Sequence, residues 1–199
     1  MNNPQDILQY WFGELEHEFV IPKQKSALWW TKSNATDQEI RQCFAATLDQ
    51  AKAGRLATWE QTPKGRLALI ILLDQFSRNI HRGSTLAFAS DAQALALAKQ
   101  GIAIGDDQQL WAIERVFMYM PFEHSEDKSM QELSLQKFTY LLAYVPDPYK
   151  ADFAMYLEFA KQHAVIVKRF DRFPHRNQIL GRKSTDEETA FLQTPNSSF

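Results

Sequence analysis

Three stretches of this chain concentrate side chains that could do chemistry. The first is Glu123-His124-Ser125-Glu126-Asp127, a histidine set among carboxylates. Imidazole beside carboxylate can move protons or ligate a metal. His124 and Glu126 are therefore the candidate acid/base residues, and His124, Glu126 and Asp127 the candidate metal ligands, with His175 as a further one. A local role competes: helix N-termini favour carboxylates, so Glu126 and Asp127 could simply partner a helix dipole. The spacing matches no established zinc motif.

The second stretch is KRFDRFPHRNQILGRK at 168–183. From 161 to 183 seven bases face one acid, net +6; from 106 to 132 two bases face seven acids, net −5. The two segments should attract each other. Arginine suits this, because its planar fork grips carboxylate or phosphate at two points. An internal ion-pair network is one outcome. The other leaves some arginines free for an anionic ligand. The third stretch is RLALIILLDQFSRNIHR at 66–82. Asp74, Arg78 and Arg82 recur every four residues, which puts them on one helix face. Buried ion pairs and functional sites leave the same signature here. His163, on a largely apolar helix face, reads first as a core histidine.

The elements that must position these groups all read as helices. Leu67 to Leu73 is wholly apolar, too long and too rich in Leu and Ala for a strand, and belongs inside a bundle. Thr62 can cap this helix, Pro63 fits its first turn, and Gly83 can end it. Around it the pattern predicts helices over 4–12, from a Thr36/Glu39 capping box to Gly54, over 92–103, over 107–120 with Pro121 as its end, to about Tyr144 from a Ser125 or Asp127 cap, and over 149–173 with Pro174 as its break. A Ser184/Glu187 capping box precedes a last helix carrying Phe191 and Leu192. Residues 1–193 read as one all-helical domain and 194–199 as a frayed tail.

The 199 residues suffice for a sizeable core, and 13% aromatic content promises a well-filled one. A net charge of −2 gives no general pull towards nucleic acid or anionic lipid. No signal-peptide pattern or membrane-length apolar run is visible, and the lone Cys43 allows no internal disulfide, so a cytoplasmic location is expected. Cys43 precedes Phe44 in an amphipathic helix and reads as a packing residue. No phosphate-binding glycine loop, nucleophile elbow or dinucleotide fingerprint is found, and no cofactor is indicated.

Long stretches of the chain resemble a bacterial family known only as domain of unknown function 924. The matching stretches are LALIILLDQFSRNIHRG at 67–83, AFASDAQALALA at 87–98, ERVFMYMPFEHSED at 114–127 and RFDRFPHRNQILGRKSTDEETAFL at 169–192. The resemblance implies a tetratricopeptide-like, right-handed stack of antiparallel helical hairpins with a buried central helix, and no established activity. Its pattern carries onto Asp74, Gln75, Arg78, Asn79, Arg82, Asp91, Arg115, His124, Glu126, Arg169, Arg172, His175, Arg176, Asn177 and Arg182. Where the family motif usually reads Asp-Gln-Phe-Pro-Arg-Asn, this chain has Ser77, so the helix is expected to run on unkinked.

The leading expectation is an interior polar cleft that holds a small anionic group, phosphate or carboxylate. The residues expected to line it are Asp74, Arg78, Asn79, Arg82, Arg115, Arg169, Arg172, His175, Arg176 and Asn177. Two alternatives stand beside it: a metal-dependent hydrolase at the His124–Asp127 junction, and a scaffold binding a protein segment without catalysis. Oligomeric state is left open.

Overall fold

The structure is a computed structural model that describes residues 2–195, 197 and 198; among these it contains helices and turns and no strand. The α-helices are α1 (Pro4–Phe12), α2 (Ser26–Trp30), α3 (Asn34–Lys52), α4 (Pro63–Ile70), α5 (Ser77–Ile80), α6 (Asp91–Ala103), α7 (Ala112–Glu123), α8 (Lys128–Tyr144), α9 (Lys150–Phe170) and α10 (Asp186–Phe191). None is long and apolar enough to cross a membrane.

Residues 63–80 form a central helix made of α4, a π-helical segment Ile71–Phe76, and α5. Thr62 Oγ1 accepts from the Gly65 amide at 3.1 Å, and Pro63 occupies the first turn, where its missing N–H costs nothing. Leu67 to Leu73 is buried on every side because α1, α3, α6 and α7 pack around it. Each such Leu or Ile contributes about 1.5–3 kcal/mol of burial. The helix does run on past Ser77, whose hydroxyl donates to the Leu86 carbonyl at 3.3 Å. The winding widens just before it, however, and Asp74 and Gln75 lie in the widened turn. Such π segments concentrate at functional sites. Arg66 anchors the other end, donating to Asp106 at 2.7 Å, Gln100 at 3.0 Å and the Glu60 carbonyl at 2.6 Å.

Several boundaries differ from the sequence expectation. Ser33, not Thr36, caps α3, accepting from the Thr36 amide at 3.3 Å. Pro121 does not end α7, which continues to Glu123; a proline near a helix end sacrifices one backbone hydrogen bond. α9 ends at Phe170, where Asp171 turns left-handed at φ 59°, three residues before Pro174. The last capping box is one residue later, Thr185 with Glu188. Cys43 is exposed, because Phe44 takes the inward face and the residue before it points about 100° away. Of the expected 194–199 tail, Asn196 and Phe199 lie outside the described residues, while Ser197 is buried and its hydroxyl donates to the Leu192 carbonyl at 3.2 Å.

Gly65 is required by a close approach, since a Cβ there would stand 2.1 Å from the Trp59 carbonyl oxygen. Gly65→Ala is expected to destabilise the chain by about 1–3 kcal/mol, read as a lower urea midpoint at unchanged slope.

Candidate functional site

The C-terminal half of the central helix, the end of α7, and one face of α9 enclose a cleft of about 460 Å³. α2 and the residues after it close one side with Trp29, Trp30 and Lys32. From the central helix come Gln75, Arg78 and Asn79, and from the turn after it Arg82; from α7 come Met120, Glu123 and, at its end, His124. α9 supplies Met155, Tyr156, Phe159, Gln162 and His163, a stripe at helical spacing. A second depression of about 460 Å³ lies near α1, where Lys64 and Glu114 pair with each other.

At the head of the polar wall, His124 Nδ1 lies 2.8 Å from Asp74 Oδ1. Asp74 is buried, and burial opposes its charge. His124 and Arg78 outweigh that cost and hold the carboxyl well below the usual range. An ionised carboxylate only accepts, so His124 carries a proton on Nδ1, and the lone pair of its neutral form is on Nε2. The side-chain hydrogen bond that His124 makes among the described residues is this one, on Nδ1. Gln75 Nε2 steadies the second oxygen of Asp74 at 2.6 Å.

Arg78 grips Asp91 with two nitrogens, at 2.8 and 3.2 Å, and reaches Asp74 at 3.5 Å. Burial works against its charge, but Asp74 and Asp91 raise its pKa. Behind it, Arg176 lies 4.9 Å from the Phe88 ring centre and 4.4 Å from that of Phe173. Its nearest carboxylate is Asp91 at 3.7 Å, and its Nε is buried without a partner among the described residues. Burial, with Arg78 adding, pushes its pKa down to about 10.

Glu123 and His163 form a different kind of pair. Their atoms lie 3.3 Å apart, as in an ion pair. Yet burial, with Asp74's charge adding, pushes the Glu123 carboxyl up to about 8. Burial, with His124 adding, pushes His163 down to about 3. The pair is neutral near pH 7, since the interior penalises both charges more than their attraction returns.

The junction after α7 is held firmly. Gln131 Nε2 donates to the Glu123 and Ser125 carbonyls, each at 2.6 Å. Asp127 caps α8, accepting from Ser129 and Met130 amides at 2.7 and 3.3 Å. Glu126 turns away to Arg182, at 2.6 and 2.9 Å, and to the Phe173 amide at 2.8 Å. The three expected metal ligands therefore point to three different partners. Among the described residues no group of three His, Cys, Asp or Glu could hold a metal ion.

The structure brings Arg78, Asn79, Arg82 and His124 to the cleft, with Asp74 behind His124 and Arg176 behind Arg78. Asn79 and Arg82 both donate to Asp37 of α3. The other expected site residues do not line it. Arg115 donates to the Leu110 carbonyl at 2.8 Å. Arg169 pairs with Glu187 and Arg172 with Glu188. Asn177 donates to Ser184 and accepts from Arg182. His175 is half-buried beside Phe173, and burial, with Arg176 adding, pushes it down to about 4. The basic and acidic segments meet through Arg182–Glu126 and Asp171–Lys128. The remaining pairing goes largely to α10, because Glu187 and Glu188 stand closer. Sequence reasoning missed Glu123 and the aromatic wall as site residues. The 155, 156, 159, 162, 163 spacing was the available signal.

A family model for a bacterial protein of unknown function, DUF924, matches residues 7–196. The chain belongs to the DUF924 family. A solved protein of unknown function from Agrobacterium tumefaciens is similar to this DUF924 chain, with 34% identity, a TM-score of 0.80 and 96% of each chain covered. Among curated proteins none matches.

The Glu123 carboxyl makes a checkable contribution to stability. Its native pKa is raised from 4.5 to about 8, so stability falls as pH rises through that window. His163, lowered from 6.5 to about 3, contributes the opposite slope between those values. Above pH 6.5 Glu123 acts without that opposition. Glu123→Gln is expected to flatten the decline between pH 6.5 and 8 in urea midpoints.

Proposed function

We propose that this DUF924 chain binds a small molecule with an anionic group, carboxylate or phosphate, at one end and an apolar, flat body at the other. One observation carries the reading: the only acid among the described residues lining the cleft is Glu123, which is neutral near pH 7, while Lys32, Arg78 and Arg82 also line it. The acids that balance the arginines, Asp37, Asp74 and Asp91, are not among the lining residues. Lys32 has no ion pair among the described residues, so its charge is uncompensated at the rim. Trp30 on the Lys32 side and Tyr156 and Phe159 of α9 offer ring faces and edges to an apolar body. The anionic group sits at the Lys32–Arg82 edge and the body lies along α9.

A second reading, a tetratricopeptide-like scaffold for a protein segment, draws on Trp30, Met155 and Phe159, which are exposed at the same cleft. A ligand contained in about 460 Å³ fits a small molecule better than a chain segment that must run out of both ends.

Titration calorimetry with 3-phenylpropanoate and its neutral counterpart 3-phenylpropan-1-ol tests the reading. The anion should bind about tenfold more tightly, and the difference should shrink with added salt. Lys32→Glu should weaken the anion alone, while Trp30→Ala should weaken both ligands by several-fold. Equal affinity for the two ligands, or no binding of either, removes the reading.

A further inference from the structure

We propose that the cleft is a proton-transfer site for aryl 2-oxo acids, in which His124 takes a proton from the carbon beside the ketone and Glu123 protonates the ketone oxygen. The inference rests on the ligand class proposed above and adds the chemistry done on it.

The base is built by geometry. Asp74 holds His124 Nδ1 at 2.8 Å, which leaves Nε2 as the basic nitrogen of the neutral ring. His124 lines the cleft, and its side-chain hydrogen bond among the described residues is made by Nδ1, not Nε2. Asp74 also stabilises the imidazolium that forms when the proton arrives. It is a positioning residue, since it reaches the substrate only through the ring.

The acid is the neighbouring residue. Glu123 lines the same cleft, is buried, and has one polar side-chain contact among the described residues, His163 Nδ1 at 3.3 Å. A carboxyl kept neutral in an apolar setting is an O–H donor, the form an oxygen acquiring charge requires. Base and acid are thus set apart by surroundings: one beside a buried anion, the other beside a neutral imidazole.

The lining excludes most other chemistry that such a pair serves. It contains no cysteine, and among the described residues no hydrogen bond joins a histidine to the lining hydroxyls of Thr31, Tyr156 and Ser198. Nothing there is built to act as an activated nucleophile. Keto–enol transfer needs only a base and an acid. The C–H bond breaks, its proton goes to Nε2, and its electrons form the carbon–carbon double bond. The ketone π electrons go to oxygen, which takes the Glu123 proton. His124 is then imidazolium, Glu123 is carboxylate, and the enol is bound. The reverse steps restore all three. A 2-oxo acid supplies the carboxylate for the cationic rim, and an aryl group supplies the body for the α9 wall.

The test uses the full chain and phenylpyruvate in D2O. Loss of the C3 proton signal is followed by NMR, with 3-phenylpropanoate, which lacks the ketone, as a binding control. The wild-type chain should exchange C3 protons at least about 100-fold faster than His124→Gln at equal occupancy. Glu123→Gln and Asp74→Asn should each lower kcat with little change in control affinity, and folding of every variant is checked by that affinity. Exchange in the wild type no faster than in buffer, or unchanged in His124→Gln, with the control still bound, overturns the proton-transfer proposal and leaves the binding reading intact. A control that fails to bind the wild type overturns both.

Discussion

An ionised carboxylate is buried in the widened turn of the central helix, and the polar interior is arranged around its charge. Asp74 holds its negative charge only because His124 and Arg78 stand beside it, and neither comes from the apolar half of that helix. His124 must be delivered by the end of α7, and Arg78 must in turn be matched by Asp91 at the start of α6. Removing one partner of such a buried set leaves an uncompensated charge, which costs far more than the set contributes as a whole. That asymmetry ties the positions of three helices to one side chain.

The same charge sorts its neighbours into ionised and neutral groups. Glu123 lies close enough to Asp74 to feel repulsion and too deep to be solvated, so it keeps its proton. His163 is deprived of its charge by the same depth and by His124. Two neighbouring carboxyl groups, Glu123 in the cleft wall and Asp74 behind it, therefore take different protonation states at one pH. This is the condition under which a single site holds both an acid and a base. The cationic rim is a by-product of the same sorting, since the balancing carboxylates sit behind the wall.

The likeness to the Agrobacterium tumefaciens structure covers 96% of both chains, so the helical architecture is shared throughout its length. Neither it nor the family description carries a reaction. Chemistry has to be argued from the cleft. There, the arginines that dominate the sequence are mostly occupied by carboxylates, and the less conspicuous Lys32 and Glu123 decide what the surface offers.

By itself the sequence determined the helical class, the buried helix with its Thr62 cap, and the placing of Asp74 and Arg78 on one face. These follow from spacing and cap chemistry within a few residues, where the backbone alone relates the groups. It also drew attention to the His124 junction, but it did not point to Asp74 as the carboxylate that His124 meets. Only the tertiary structure decided which carboxylate each cation meets. Arg172 faced several acids of equal formal charge, and α10 brought Glu188 to it first. The neutral state of Glu123 was likewise illegible, because it depends on depth and on a charge 49 positions away in the chain. Pairing between distant segments and the loss of solvent around a group are properties of packing, and no local pattern encodes either.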